Sequence, residues 1–180
     1  MKKTISFCIT VLIILTFTVN GFCETQFPEF GESIDYGRGV FAAQIQGNAI
    51  GYDELGNAKL CCGVQGGLFY VTDIATGELE FKQHISATQL DRMVTASDGN
   101  IYISDYPNSG LKKYNPKTKE LTEVSGFNRN GGMALCMYAD NSENIYVGVY
   151  YNDGGRVIEY NVESDTMKDY GIMKQGAHYI

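Results

Sequence analysis

The chain has 180 residues, 14 basic and 21 acidic side chains, a formal net charge of −7, five cysteines and no tryptophan. One or at most two domains fit that length. The acidic balance, with no basic run to override it, argues against nucleic acid or an anionic membrane surface as a partner. The sparse cysteines form no CxxC or Cys/His cluster and predict no metal site.

The first element is a targeting segment. Lys2-Lys3 precede an apolar stretch from Ile5 to Val19, about 15 residues long, which suits a secretory signal and falls short of the ~20 needed to span a bilayer. The reading is a signal peptide over residues 1–23, cleaved after Cys23 or after Gly21, leaving a chain that is secreted (periplasmic or extracellular) with no membrane attachment. An uncleaved anchor and a lipid-modified Cys23 stay open as alternatives, although bulky Phe22 stands where a lipidation signal takes a small residue. Cleavage removes two lysines and no acid, which takes the net charge from −7 to −9. Residues 24–47 read as a lead-in, punctuated by Pro28, Gly31, Gly37 and Gly39, with Val40–Ile45 as a candidate strand.

From residue 48 the sequence repeats itself. Each copy begins with a short apolar strand (Ala49–Tyr52, Met93–Ala96, Met133–Ala139) and turns through Asp, Asn and Gly (Asp53–Asn57, Ser97–Asn100, Asp140–Asn144). Those residues accept positive φ or cap their own backbone, as a tight hairpin requires. A second strand follows (Ala58–Val64, Ile101–Asp105, Ile145–Tyr150), then a longer connection and a third (Leu68–Thr72, Leu111–Tyr114, Val157–Tyr160). The turns Asp73–Gly77, Asn115–Lys119 and Asn161–Asp165 lead to amphipathic outer strands such as Glu78–Lys82. Asp73, Asn115 and Asn161 lie 42 and 46 residues apart, and a period of ~40–45 built of short strands is that of β-propeller blades. The predicted fold is therefore all-β: three four-stranded antiparallel blades in an incomplete ring, over residues 48–180. Gly171–Gly176 read as a connection, and His178–Ile180 as the opening of a fourth blade, so the chain is expected to be the N-terminal part of a longer protein. Further blades would come from the remainder or from self-association. Cys61 and Cys62 are adjacent in one strand and Cys136 is two blades away. All three are expected to be buried thiols acting as small hydrophobes, not disulfides.

The wording Asp98-Gly99-Asn100-Ile101-Tyr102-Ile103 followed by Tyr114-Asn115-Pro116-Lys117-Thr118, with Glu159-Tyr160-Asn161 and Lys168-Asp169-Tyr170-Gly171 in the next copy, resembles secreted bacterial β-propeller repeat proteins. These are the streptogramin-lyase-like, gluconolactonase-like and quinoprotein-like propellers. The resemblance covers most of residues 48–176 and implies the fold more than an activity. The missing tryptophan docking motifs argue against a quinone, and no cofactor is expected.

That resemblance also implies a ligand face, formed where the connections into each first strand and between second and third strands emerge. The connections into the first strands hold His84, Gln89, Asp91 and Arg92, then Asn128, Arg129 and Asn130, then Lys174, Gln175, His178 and Tyr179. The middle connections hold Tyr106, Pro107 and Asn108, then Tyr150, Tyr151, Asn152 and Asp153. Candidate ligand-binding residues are Tyr106, Asn108, Asn128, Tyr150, Tyr151 and Asn152, since tyrosine rings and amides suit sugar CH faces and hydroxyls. Weaker catalytic candidates are Arg92, Arg129, His178 and Tyr179, which would serve a uronate lyase as carboxylate-neutralising arginines and base. The arginines read better as structural residues that pair with Asp91 or cap backbone carbonyls. Three functions follow: an exported module recognising carbohydrate or another extracellular ligand, a polysaccharide lyase, or a protein-interaction scaffold.

Overall fold

The computed structural model describes residues 44–107, 110–124 and 132–174. Twelve strands form three four-stranded antiparallel sheets, each connected in simple order. The first blade is β1 (Ile45–Tyr52), β2 (Ala58–Val64), β3 (Leu68–Asp73) and β4 (Leu79–His84). The second is β5 (Gln89–Thr95), β6 (Ile101–Tyr106), β7 (Leu111–Asn115) and β8 (Glu120–Glu123). The third is β9 (Met133–Ala139), β10 (Asn144–Tyr151), β11 (Gly154–Asn161) and β12 (Thr166–Lys174).

The turns explain why these residues pair as they do. Asp53 Oδ1 accepts the backbone N–H groups of Leu55 and Asn57, Asp98 Oδ1 that of Asn100, and Asp140 Oδ1 those of Ser142 and Asn144. The outer hairpins use the same device, with Asp73 holding the N–H of Ala75 and Thr76, Asn115 that of Lys117 and Asn161 that of Ser164. Each outer turn then passes one residue through the left-handed region, Gly77 at φ 72°, Lys119 at 59° and Asp165 at 52°. The short polar side chain fixes each register, so one recurring residue type sets six hairpins.

The blades stack face against face, and their first strands run side by side, β1 against β5 and β5 against β9. Thr95 Oγ1 donates to the carbonyl oxygen of Ile50 across the first pair (2.6 Å), and Arg92 Nε donates to that of Leu135 across the second (2.8 Å). Strand alternation divides each blade into a leading face, toward the preceding blade, and a trailing face, toward the following one. Cys61, Phe69 and Val71 on the trailing face of the first blade pack on Ile101, Ile103 and Tyr114 on the leading face of the second. Phe69 and Phe81 both meet Tyr114 with ring centroids 5.0 and 5.1 Å apart. Tyr102 and Leu111 likewise pack on Ile145, Val147, Ile158 and Tyr160. Apolar alternation on the second and third strands therefore builds two separate inter-blade cores.

Several expectations change. His84 ends β4 and is not in the connection after it, and β1 begins at Ile45 and not at Ala49. Gln89, Asp91 and Arg92 belong to β5 and not to the connection before it, because a bulge between Gln89 and Arg92 lets pairing with β6 begin earlier. Gly171–Lys174 continue β12, where a connection was expected. Gly171 at φ 81° and the Asp169 cap on its N–H carry the strand through irregular register to Ile172, which pairs with Arg156. Tyr151 ends β10 instead of lying in the connection after it, and Tyr150 belongs to the strand, as its place at the end of Ile145–Tyr150 had it. Cys61 and Cys62 are free and buried, but Cys136 is exposed, because it lies on the trailing face of the third blade. The expected leader (1–23), most of the expected lead-in (24–47) and His178–Ile180 lie outside the described residues.

Candidate functional site

The connections expected to share one end of the blades are tied to each other there. Gly66 N–H in the β2–β3 turn donates to the carbonyl oxygen of Thr88 (2.7 Å), and Thr88 N–H donates to that of Tyr106 (2.9 Å). Ile85 N–H donates to the carbonyl of Gly67 in the same chain of bonds. Gly67 is at φ 77°, and a Cβ there would collide with the carbonyl oxygens of Ile85 and Ala87, so the close crossing of the two connections requires glycine.

The proposed face is less aromatic than its sequence. Tyr106 and Tyr150 are half-buried and Asn152 is exposed, but Tyr151 is 5% exposed and belongs to the core between the second and third blades. It stands under the Arg156 guanidinium, 6.0 Å from its ring centroid, so it offers no stacking surface. Arg92 donates Nε–H to Leu135 and Nη1–H to the carbonyl of Asp91 at 2.7 Å, the carbonyl-capping role. Asn108, Asn128, Arg129, His178 and Tyr179 lie outside the described residues.

A cleft of about 310 Å³ opens on this end between the first and second blades, lined by Gln83, His84, Ser86, Asp105, Lys112 and Glu123 among others. At its base Lys112 Nζ lies 2.9 Å from Asp105 Oδ2 and donates to Glu123 Oε1, with the Asp105 and Lys112 side chains 3% and 9% exposed and that of Glu123 largely open. Burial of Lys112 works against its charge, but the hydrogen bonds it donates to Glu123 and Asp105 and their negative charges outweigh it, so its pKa is raised. The other Asp105 oxygen accepts Gly110 N–H at 2.7 Å and fixes the β6–β7 connection.

The placement of this pair is what singles it out. Counting from the paired residues Ile103–Lys112 and Val147–Ile158, Asp105 and Lys112 occupy the positions of Val149 and Ile158 in the third blade. In the first blade the same positions are Val64 and Tyr70, from the pair Cys62–Tyr70. One blade thus buries an ion pair where its sisters place apolar side chains or, at Tyr70, a half-buried aromatic one. Sequence reasoning missed it because Asp105 and Lys112 each look like ordinary strand-end charges until the blades are superimposed by register. The available signal was a charged residue at an apolar position of the repeat.

No protein-family model and no curated protein matches the chain. Solved structures do. Sqt1 of Saccharomyces cerevisiae aligns with a TM-score of 0.54 at 9% identity, over 74% of this chain and 36% of that one. The beta-propeller domain of Cps50 (Swd1) from Myceliophteria thermophila aligns with a TM-score of 0.50 at 13% identity, over 70% of this chain and 42% of that one. The fold is a β-propeller. At these identities the likeness concerns the fold alone, and the chain spans well under half the length of either propeller.

Proposed function

We propose that this β-propeller module is exported and recognises a polyhydroxylated extracellular ligand, a glycan, at the end where the connections gather, with the Asp105–Lys112–Glu123 cleft as the primary contact. The observation that carries the reading is the buried ion pair, at positions where the sister blades carry Val and Ile or Val and Tyr. Such a pair contributes little net stability, since desolvation offsets its attraction, so a role in recognition accounts for it better than packing does. Two carboxylates that accept, an ammonium that donates, and the Ser86 and Thr122 hydroxyls that do both match the alternating demands of vicinal sugar hydroxyls. The volume falls at the small end of the ~300–1,000 Å³ typical of ligand pockets. Half-buried Tyr106 and Tyr150 and exposed Asn152 would extend the contact along the same end.

The lyase reading has less support. Its one described arginine, Arg92, is engaged by two backbone carbonyls and is not presented to a substrate carboxylate.

Glycan-array screening followed by calorimetry tests the proposal. A glycan bound by the natural chain should lose at least tenfold affinity in the Asp105→Val/Lys112→Ile double variant. Absence of binding to any glycan overturns the reading, and a polypeptide captured through the same cleft would replace it with the scaffold function.

A further inference from the structure

Resting on the glycan reading of the Asp105–Lys112–Glu123 cleft, we infer that the ligand is a basic glycan, an amino sugar whose free amine enters the cleft as an ammonium and donates to Glu123.

The polar atoms of the cleft differ in what they still have to offer. Asp105 is fully engaged: Oδ1 accepts Gly110 N–H at 2.7 Å and Oδ2 faces Lys112 Nζ at 2.9 Å. A Cβ at residue 110 would stand 2.7 Å from that Oδ1, so glycine lets the backbone close over the carboxylate. The Lys112 ammonium is engaged by Asp105 Oδ2 and Glu123 Oε1, and those two carboxylates already offset its single charge. Its remaining proton is left for a hydroxyl. Glu123 is different. Only Oε1 is engaged, Oε2 has no hydrogen bond among the described residues, and the side chain is 70% exposed.

The sister blades show that this open oxygen is particular to the second. By the pairs Lys112–Glu123, Ile158–Asp169 and Tyr70–Lys82, Glu123 occupies the position of Asp169 in the third blade and Lys82 in the first. Asp169 Oδ2 accepts Arg156 Nη1–H at 3.0 Å and Oδ1 accepts Gly171 N–H at 2.7 Å, so both of its oxygens are taken. The first blade has a cation there and no acid to offer.

Charge then selects the ligand class. Two acids to one lysine leave the cleft net negative. A ligand carboxylate would meet both acids and no unneutralised cation, which disfavours uronates. A neutral hydroxyl can donate to Oε2 but leaves the excess charge unmatched. An ammonium answers both demands, through a charge-assisted hydrogen bond roughly twice as strong as a neutral one and through direct attraction. The Ser86 and Thr122 hydroxyls and the Gln83 amide line the same cleft and suit the ring hydroxyls beside the amine. The acidic chain as a whole, at net −7, steers a cation toward it.

Calorimetry in a single buffer, which keeps His84 and the other lining groups in one state, tests the inference. The probes are glucosamine oligosaccharides of one length, either with free amines or fully N-acetylated, and an oligogalacturonate. The natural chain is compared with Glu123→Gln and with Glu54→Gln, which removes the same charge from an exposed residue in the turn at the opposite end. The free-amine form should bind the natural chain about tenfold more tightly than the acetylated form, the worth of one hydrogen bond to a charged group. Oligogalacturonate should not bind. Glu123→Gln should bring the two glucosamine forms within about threefold of each other, and Glu54→Gln should leave their difference intact. Equal affinity for both forms, preference for oligogalacturonate, or an amine preference that survives Glu123→Gln overturns the inference while the glycan reading stands. Failure of every glycan to bind removes the glycan reading itself. A lysine-rich peptide held through Glu123 in place of any glycan overturns both and assigns the cleft to the scaffold function.

Discussion

Arg92 in the first strand of the second blade donates its Nε–H to the carbonyl oxygen of Leu135 in the first strand of the third, at 2.8 Å, and its Nη1–H to the carbonyl of Asp91. The side chain is exposed, yet it bridges two blades where strand-to-strand backbone pairing is absent. Arg92→Ala is expected to destabilise the fold by about 1 kcal/mol, the usual net worth of such a bond near solvent. Arg92→Lys should not restore it, because a lysine ammonium lacks the forked geometry. Urea unfolding measures the loss, and ligand affinity should stay unchanged. A selective loss of binding at full stability would instead make Arg92 a ligand residue.

Gly67 offers a sharper test of the connection end. Any side chain there meets the carbonyl oxygens of Ile85 and Ala87 in a backbone conformation that disfavours Cβ. Gly67→Ala should cost about 2 kcal/mol or more, from left-handed strain plus displacement of the crossing connection. Gly56→Ala is the matched control, with φ 82° but nothing within 4 Å of a Cβ, and should cost about 1 kcal/mol. Thermal unfolding of the two variants separates the crossing from the strain.

Much of the fold was legible because its determinants are local. The Asp and Asn caps, the alternating strands and the period of the repeat are all written in contiguous residues, and the order of strands and turns within each blade follows that pattern, while several strand ends do not. The misplacements share one cause. The bulges at Gln89/Arg92 and in β12 depend on how a strand meets its neighbour, which a single-strand pattern does not encode. The face was less legible for a related reason: Tyr151 is core and Cys136 is exposed because of which side of a sheet each occupies and which blade covers it. The Asp105–Lys112 pair needed the register of three sheets before its oddity showed.

Acid should loosen the blades from the turn end. Asp73 is held down to about 2 from the usual 3.8, first by its hydrogen bond from Lys59 Nζ at 2.6 Å and then by Thr76 N–H. Asp53 is lowered too, chiefly by Asn57, and Glu80 by Lys59 and then Lys119. These carboxylates bind protons more weakly in the folded chain than unfolded, so their stabilisation is present above the ordinary carboxylate range and is lost in acid, that of Asp73 as pH falls through about 2. Asp91 works the other way, because burial raises its pKa. Stability measured by denaturant between pH 5 and pH 2 should therefore fall steeply, and Asp73→Asn should flatten that slope. An unchanged slope in the variant would show that the Lys59 cluster does not govern acid unfolding.

The decisive pair of variants concerns Asp105 and Lys112. Removing one partner leaves the other charge in a largely closed cleft: Asp105→Val strands Lys112 with only solvent-facing Glu123, and Lys112→Ile leaves Asp105 with the Gly110 N–H. Each single change should cost about 3 kcal/mol, at the low end for breaking a buried pair because the cleft admits water. The double change installs the Val and Ile that the third blade already packs at these positions, and replacing a buried ion pair by hydrophobes is often neutral or stabilising. The expected pattern is thus two destabilised single variants, a double variant within about 1 kcal/mol of the natural chain, and ligand binding lost in all three. A double variant as stable as the natural chain that still binds would remove the cleft from the recognition site. One as unstable as the singles would mean that the second blade needs the pair for its own folding, through the bond from Asp105 to the β6–β7 connection.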